Sequence, residues 1–307
     1  MKSNRLKTKL KGIEFKNPLI AASGTVGYGR EYENFVPLSE LGGISVKGTT
    51  KEKRLGNSSP RIAETASGIL NSVGLENPGV YGFINNELPW LLEKDTNIIA
   101  NIAGRDYDEY SFMAEKLNST EVNAIELNIS CPNVKEGGLS FGSDVNQVLK
   151  VVSIVRKKTN KLLIVKLSPN VTSIQDIAKA AEYAGADALS LINTLLGMKI
   201  DIKTRRPILK NNVGGLSGPA ILPVAVRMVW EAKKAVKIPI IGCGGISSFE
   251  DALEIIMAGA CLFQVGTAIF KDPLCPLKIL KDLDLWLIEN KIENINEVSG
   301  SLLEWWN

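Results

Sequence analysis

Short runs of Ile, Val, Leu and Ala recur along the chain, each followed by a loop and then by apolar residues at helical spacing. Runs of that length without polar alternation suit strands buried on both faces, as in a parallel sheet whose crossovers are helices. Eight are predicted as strands: Leu19 to Ser23, Gly43 to Lys47, Asn97 to Ile102, Ala124 to Asn128, Leu163 to Leu167, Ala188 to Ile192, Pro239 to Cys243 and Leu262 to Val265. Eight strands with covering helices predict an α/β fold, a (β/α)₈ TIM barrel. An open doubly wound sheet is the rival, but no Gly-x-Gly-x-x-Gly turn follows the first strand. Residues 1–307 are assigned to a single barrel domain.

One unit shows the pattern well. Ser173 precedes an apolar stripe of Ile174, Ile177, Ala178 and Ala181, and the helix should stop near Gly185. Its echo starts at Ser248, buries Leu253, Ile255 and Ile256, stops at Gly259 and runs into the last strand. Two long connections break the repeat, Gly48 to Asp95 and Asn193 to Ala220, and neither carries a strong helix pattern. Both leave the C-terminal face of the barrel, where such loops cover active sites.

Charge adds little. Lys and Arg total 36 against 33 Asp and Glu, a formal +3 with no basic run, so neither a nucleic acid nor a membrane surface is predicted as a partner. No stretch approaches the roughly 20 apolar residues of a membrane span, and the basic N-terminus lacks the apolar core of a signal peptide. A cytoplasmic protein is predicted. The cysteines, Cys131, Cys243, Cys261 and Cys275, lack the close spacing of a zinc site or an iron-sulfur cluster, so no metal is predicted on this chain. There is no histidine, which removes the usual general base.

Candidate chemistry gathers at the strand ends. Gly242-Cys243-Gly244-Gly245 and Gly266-Thr267-Ala268 follow the last two strands, where barrels commonly bind phosphate through backbone N–H groups. Lys47 and Lys166 end two strands, and an unpaired ammonium at an apolar barrel mouth is costly unless it meets an anion or electron-rich ring. A strand-end lysine can also be a solvated surface charge. Asn101 and Asn128 also sit at strand ends, giving a polar ring able to grip a heteroaromatic edge. Cys131 lies on a polar loop with Asn128, Ser130 and Asn133, which favours a reactive thiol over a packed one, and Lys135, Gly137, Gly138 and Gly142 suggest a lid. The stretch Asn71, Ser72, Val73, Gly74, Leu75 to Gly79, with Asn193 and Thr194, suits recognition of a small polar ring or carboxylate.

Taken together, the motifs resemble the dihydroorotate dehydrogenase family over nearly the whole chain. They are Ala22-Ser23-Gly24-Thr25, Ser45 to Gly48, Asn71 to Gly79, Asn101 to Gly104, Glu126 to Val134, Asn193 to Met198 and Gly214 to Ala220, followed by the two phosphate loops. Asn193 to Met198, Thr204 to Pro207 and Gly214 to Ala220 look like the class 1B catalytic subunits.

The resemblance implies one FMN per chain, held by Ala22, Ser23, Gly24, Lys47, Gly48, Asn101, Asn128, Lys166, Ile192, Gly218, Gly244, Gly245, Gly266 and Thr267. It implies dihydroorotate, or its product orotate, on Lys47, Asn71, Ser72, Val73, Gly74, Leu75, Asn128, Asn133, Asn193 and Thr194. Cys131 would take a proton from C5 while a hydride leaves C6 for the flavin, with Lys166 stabilising the reduced ring. Cys243 departs from the family pattern, and its thiol is expected near the flavin phosphate. Electrons would pass to NAD through a separate subunit carrying FAD and a [2Fe-2S] cluster, in a heterotetramer built on a homodimer. The alternatives are a class 1A homodimer that uses fumarate and, more remotely, an FMN-dependent tRNA dihydrouridine synthase. The terminal Leu302 to Trp306 is an apolar candidate interface that can equally pack on its own barrel.

Overall fold

The computed structural model describes residues 4–130 and 141–305. Its centre is a closed barrel of eight parallel strands: β1 (Leu19–Ala21), β2 (Gly43–Ser45), β3 (Asn97–Ile102), β4 (Ala124–Asn128), β5 (Leu162–Lys166), β6 (Ala188–Leu191), β7 (Ile240–Cys243) and β8 (Leu262–Val265). They pair in chain order, and β8 returns to β1, so no strand edge is left open. The predicted strands are all present. Several end a residue or two earlier than expected, because the chain turns away from the barrel where the polar loops begin.

Alternation along each strand divides the apolar residues into two layers. The outward set packs under the covering helices: α1 (Tyr107–Asn118), α2 (Val145–Arg156), α3 (Ile174–Tyr183), α4 (Leu222–Ala235), α5 (Phe249–Met257) and α6 (Cys275–Glu289). The inward set, Ile20, Ile99, Ala124, Leu162, Ile164, Ala188, Ile241 and Leu262, fills the lower barrel together with Leu10 and Phe15. Leu10 and Phe15 come from an antiparallel hairpin, Thr8–Leu10 with Ile13–Phe15, that closes the N-terminal end. Asn97, at the first residue of β3, donates to the Glu14 carbonyl and fixes that plug. Sequence periodicity did not reveal the hairpin, since three-residue strands carry too few alternations to register.

The helix signals hold in detail. The Ser173 hydroxyl accepts from Asp176 N at the start of α3, and Ser248 forms a reciprocal capping box with Asp251 on α5. Gly185 and Gly259 take φ of +101° and +124° just beyond the two helix ends, the left-handed conformation that terminates a helix without a Cβ clash.

The two long connections contain regular structure that the sequence reading did not anticipate. Ile62–Thr65, Gly68–Asn71, Gly214–Ser217 and Leu195–Gly197 build a four-stranded antiparallel sheet above the barrel, and helical turns run from Gly79–Gly82 to Leu88–Leu92. Each strand is short, and the central pairing joins Asn71 to Gly215 across the sequence, so no local window contains it. At the C-terminus, Leu303 and Trp305 are exposed, while Trp230 Nε1 donates to Glu304 and ties the tail to α4. Among the described residues, no helix is long and apolar enough to cross a membrane.

Candidate active site

Two residues above the apolar plug, the inward-facing rows turn polar: Ser45, Asn101, Glu126, Lys166, Ser190 and Gln264 are all buried. Glu126 is at the centre, with no exposed surface. Its Oε2 accepts from Ser45 Oγ at 2.6 Å and Asn101 Nδ2 at 2.7 Å; its Oε1 accepts from Ser190 Oγ at 2.8 Å and Gln264 Nε2 at 2.7 Å. These donors come from β2, β3, β6 and β8, so one carboxylate joins four strands across the barrel. A carboxylate offers about four acceptor sites, and this one is saturated. Lys166 Nζ donates to Gln264 Oε1 at 2.9 Å, which places a neutral amide between ammonium and carboxylate.

Burial alone would raise the Glu126 carboxyl and lower the Lys166 ammonium. Lys166 and the hydrogen bonds reverse the first tendency, leaving Glu126 below the usual carboxylate range. The Glu126 carboxylate reverses the second and holds Lys166 above the usual lysine range. Lys166 is therefore an internal cation, only 5% exposed, rather than a solvated surface charge. Cys243 faces the same interior layer. Its side chain is the next in the inward row after Ile241, level with Gln264, where burial first, with Glu126, raises the thiol against the pull of Lys166.

At the barrel mouth, Asn128 ends β4, level with Lys166 on β5. Asn128 Oδ1 accepts from Asn193 Nδ2 at 3.4 Å and from Ser130 N at 3.1 Å, bringing together two of the asparagines singled out in the sequence. Asn101 spends its amide nitrogen on Glu126, and its Oδ1 is buried with no hydrogen-bond partner among the described residues. A Cβ on Gly48 would stand 3.1 Å from that oxygen and 3.0 Å from Leu75, so glycine leaves room beside it. Lys47 is half-buried; burial pulls its ammonium down, against Glu76.

The inserted sheet completes one side. Asn71 Nδ2 donates to Gly215 O at 3.4 Å, and a Cβ at Gly215 would fall 2.0 Å from Thr194 Oγ1. Gly215 thus joins the loop Asn71, Ser72, Val73, Gly74, Leu75 to the Asn193-Thr194 corner, as the sequence grouping anticipated. Ser72 Oγ is a second buried polar atom without a partner among the described residues.

On the other side, Ala22, Ser23 and Gly24 turn beside Gly266, with Ala22 N donating to Val265 O at 2.8 Å and Ser23 Oγ to Val46 O at 2.7 Å. Gly245 has φ of +79°, and a Cβ there would meet Leu222 N at 2.7 Å, so the glycine lets this loop pack against the first turn of α4. Ile192 lines the buried wall next to Gly244. Thr267 Oγ1 donates to Ser217 Oγ at 2.8 Å and draws the Gly218 segment to the end of β8. The glycine loops of β7 and β8 therefore share one side of the mouth.

Cys131 and Asn133, with Lys135, Gly137 and Gly138, lie outside the described residues. Gly142, read as part of a lid, is buried and donates from its backbone to Ile129 O at 2.8 Å. The residues that sequence reasoning missed are Glu126, Gln264, Ser45 and Ser190 as one network, and Ser217 as the tie to Thr267. A signal existed: Glu126 and Gln264 interrupt otherwise apolar strands, and a buried charge must find partners.

Known proteins resemble this chain over nearly its whole length. A family model described as dihydroorotate dehydrogenase matches residues 5–287. Three relatives each carry the name dihydroorotate dehydrogenase B (NAD(+)), catalytic subunit. The protein of Thermoanaerobacter pseudethanolicus is 51% identical over 97% of this chain and 98% of its own length. That of Oceanobacillus iheyensis is 52% identical over 96% and 98%, and that of Alkaliphilus oremlandii 54% over 95% and 96%.

Proposed function

The chain belongs to the dihydroorotate dehydrogenase family, and on that premise we propose that it is the FMN-carrying catalytic subunit of an NAD-linked enzyme. Its reaction is the oxidation of (S)-dihydroorotate to orotate in pyrimidine synthesis. The observation that carries the reading is the buried Lys166 cation at the barrel mouth, with the unfilled Asn101 Oδ1 and the Asn128–Asn193 pair around it. A planar heterocycle with ring N–H groups and an acquired negative charge answers both the acceptor and the cation.

FMN, when bound, supplies the two-electron acceptor. Lys47, Gly48, Asn101, Asn128, Lys166 and Ile192 would hold its ring, while Ala22, Ser23, Gly24, Gly218, Gly244, Gly245, Gly266 and Thr267 would hold its phosphate side. The substrate would lie against Lys47, Asn71, Ser72, Val73, Gly74, Leu75, Asn128, Asn133, Asn193 and Thr194. Cys131 takes the proton from C5 of dihydroorotate. Its thiol, ordinarily near pKa 8.5, acts as base through its thiolate fraction. The amides and Lys47 orient the ring and its carboxylate, so that charge formed in the transition state meets fixed donors.

Gly215→Ala tests the substrate corner. The added methyl must displace Thr194, and the enzyme is expected to bind orotate at least tenfold more weakly with its FMN content unchanged. Orotate-induced changes in the flavin spectrum measure this; an unaltered dissociation constant would remove Thr194 from the substrate site.

The relatives' names, each that of an NAD(+)-linked catalytic subunit, support onward transfer to a separate partner subunit; that partner is read as carrying FAD and a [2Fe-2S] cluster, in a cytoplasmic heterotetramer built on a homodimer of this chain. With that partner, dihydroorotate should reduce NAD; without it, NAD turnover should fall at least a hundredfold. Efficient fumarate turnover by the chain alone would instead favour the class 1A reading.

A further inference from the structure

The buried acid–amide–cation array has a role beyond joining strands. Glu126 touches neither the proposed flavin nor the proposed substrate, yet it occupies the centre of the layer beneath them. All four of its hydrogen bonds come from hydroxyl or amide donors, and Gln264 is oriented from both ends. Its Oε1 accepts from Lys166, which leaves Nε2 to face Glu126. Packing alone would be served by an apolar residue, and a buried charge pair is commonly neutral or unfavourable for stability relative to such a replacement. The array does supply one thing that apolar packing cannot: a fixed positive charge in a dry place.

We propose that Glu126 is a positioning residue which, through Gln264, keeps Lys166 a charged ammonium in both oxidation states of the flavin, and so sets the ring's electron affinity and proton uptake. The inference rests on the reading of Lys166 as a flavin contact. Among the described residues, the titratable groups acting on Lys166 are Glu126 from β4 and Cys243 from β7. Cys243 remains a neutral thiol, so the carboxylate is the counter-charge. With Lys166 charged throughout, reduction of the ring to its singly negative form takes up two electrons and one proton. Remove the carboxylate, and an ammonium this deeply buried gives up its proton while the ring is oxidised. Reduction then places a negative charge beside the amine and draws a proton back from solvent. The same two electrons are now accompanied by two protons.

The test is potentiometric titration of the FMN-loaded protein over about pH 7–9, where the slope of potential against pH counts protons per electron pair. Unsubstituted protein is expected to take up one proton, Glu126→Gln two, and Glu126→Asp one again. Contributions from other groups, Cys131 included, cancel in the comparison. One proton in Glu126→Gln, or two in both variants, would overturn the inference and leave Glu126 a structural residue. If Glu126→Gln does not fold, Glu126→Met, which removes the carboxylate and keeps an apolar side chain of similar length, takes its place in the same comparison: two protons are expected, and one would overturn the inference. A chain that binds no FMN sinks this inference and the flavin reading together; a flavin-loaded chain with the wrong proton count sinks this inference alone.

Discussion

Cys131→Ala is expected to leave FMN bound and to slow flavin reduction by dihydroorotate about 10²–10⁴-fold, the range contributed by a well-placed general base. The chain has no histidine, so the proton at C5 must go to some other side chain. Of the two lysines at the mouth, Lys166 is held charged by Glu126, while burial pulls the Lys47 ammonium down against the charge of Glu76. Cys243 and Cys261 are shifted away from the thiolate, Cys261 to about 11 by burial. The base proposed for that proton is Cys131, next in sequence to Ser130, whose hydroxyl lies 3.5 Å from the Lys166 carbonyl. Orotate needs no base to bind, so its dissociation constant should change little. Stopped-flow single turnover separates these effects, and reduction at the parent rate would remove Cys131 from the mechanism.

The second large effect concerns stability. Lys166→Met strips Glu126 of its counter-charge at a position with no access to water, and should destabilise the apoprotein by about 3–5 kcal/mol, the cost of breaking one side of a buried pair. Adding Glu126→Gln removes the stranded charge. The double variant should therefore regain part of the loss, a coupling seen as a non-additive cycle in urea unfolding. Measuring the apoprotein excludes stabilisation by bound FMN. If the two losses simply add, Lys166 and Glu126 do not act as a pair.

The barrel was legible because its strands are apolar on both faces and its helices carry caps: Ser173, Ser248, Gly185 and Gly259 mark boundaries that the structure reproduces. The mouth was legible for a related reason, since Lys47, Asn101, Asn128 and Lys166 are polar residues at the ends of apolar runs. Other features depend on contacts made only after the chain closes. Glu126 is one of two polar residues in a five-residue strand, and nothing nearby names Ser45, Ser190 or Gln264 as its partners. The same holds for the inserted sheet, whose Asn71–Gly215 pairing spans two connections. Cys243 shows the limit of reading a loop by its glycines. Its neighbours turn at the mouth, while its own side chain follows strand alternation into the barrel.

Dihydroorotate is expected to deliver its electrons to a flavin on this chain. Anaerobic titration of the isolated, FMN-loaded protein with dihydroorotate tests it directly, with neither partner subunit nor NAD present. The flavin absorbance should bleach at one equivalent of dihydroorotate per FMN, with orotate formed in equal amount. A flavin spectrum that dihydroorotate leaves unchanged, above all one that a reduced nicotinamide bleaches readily, would mean that dihydroorotate is not the electron donor to this chain.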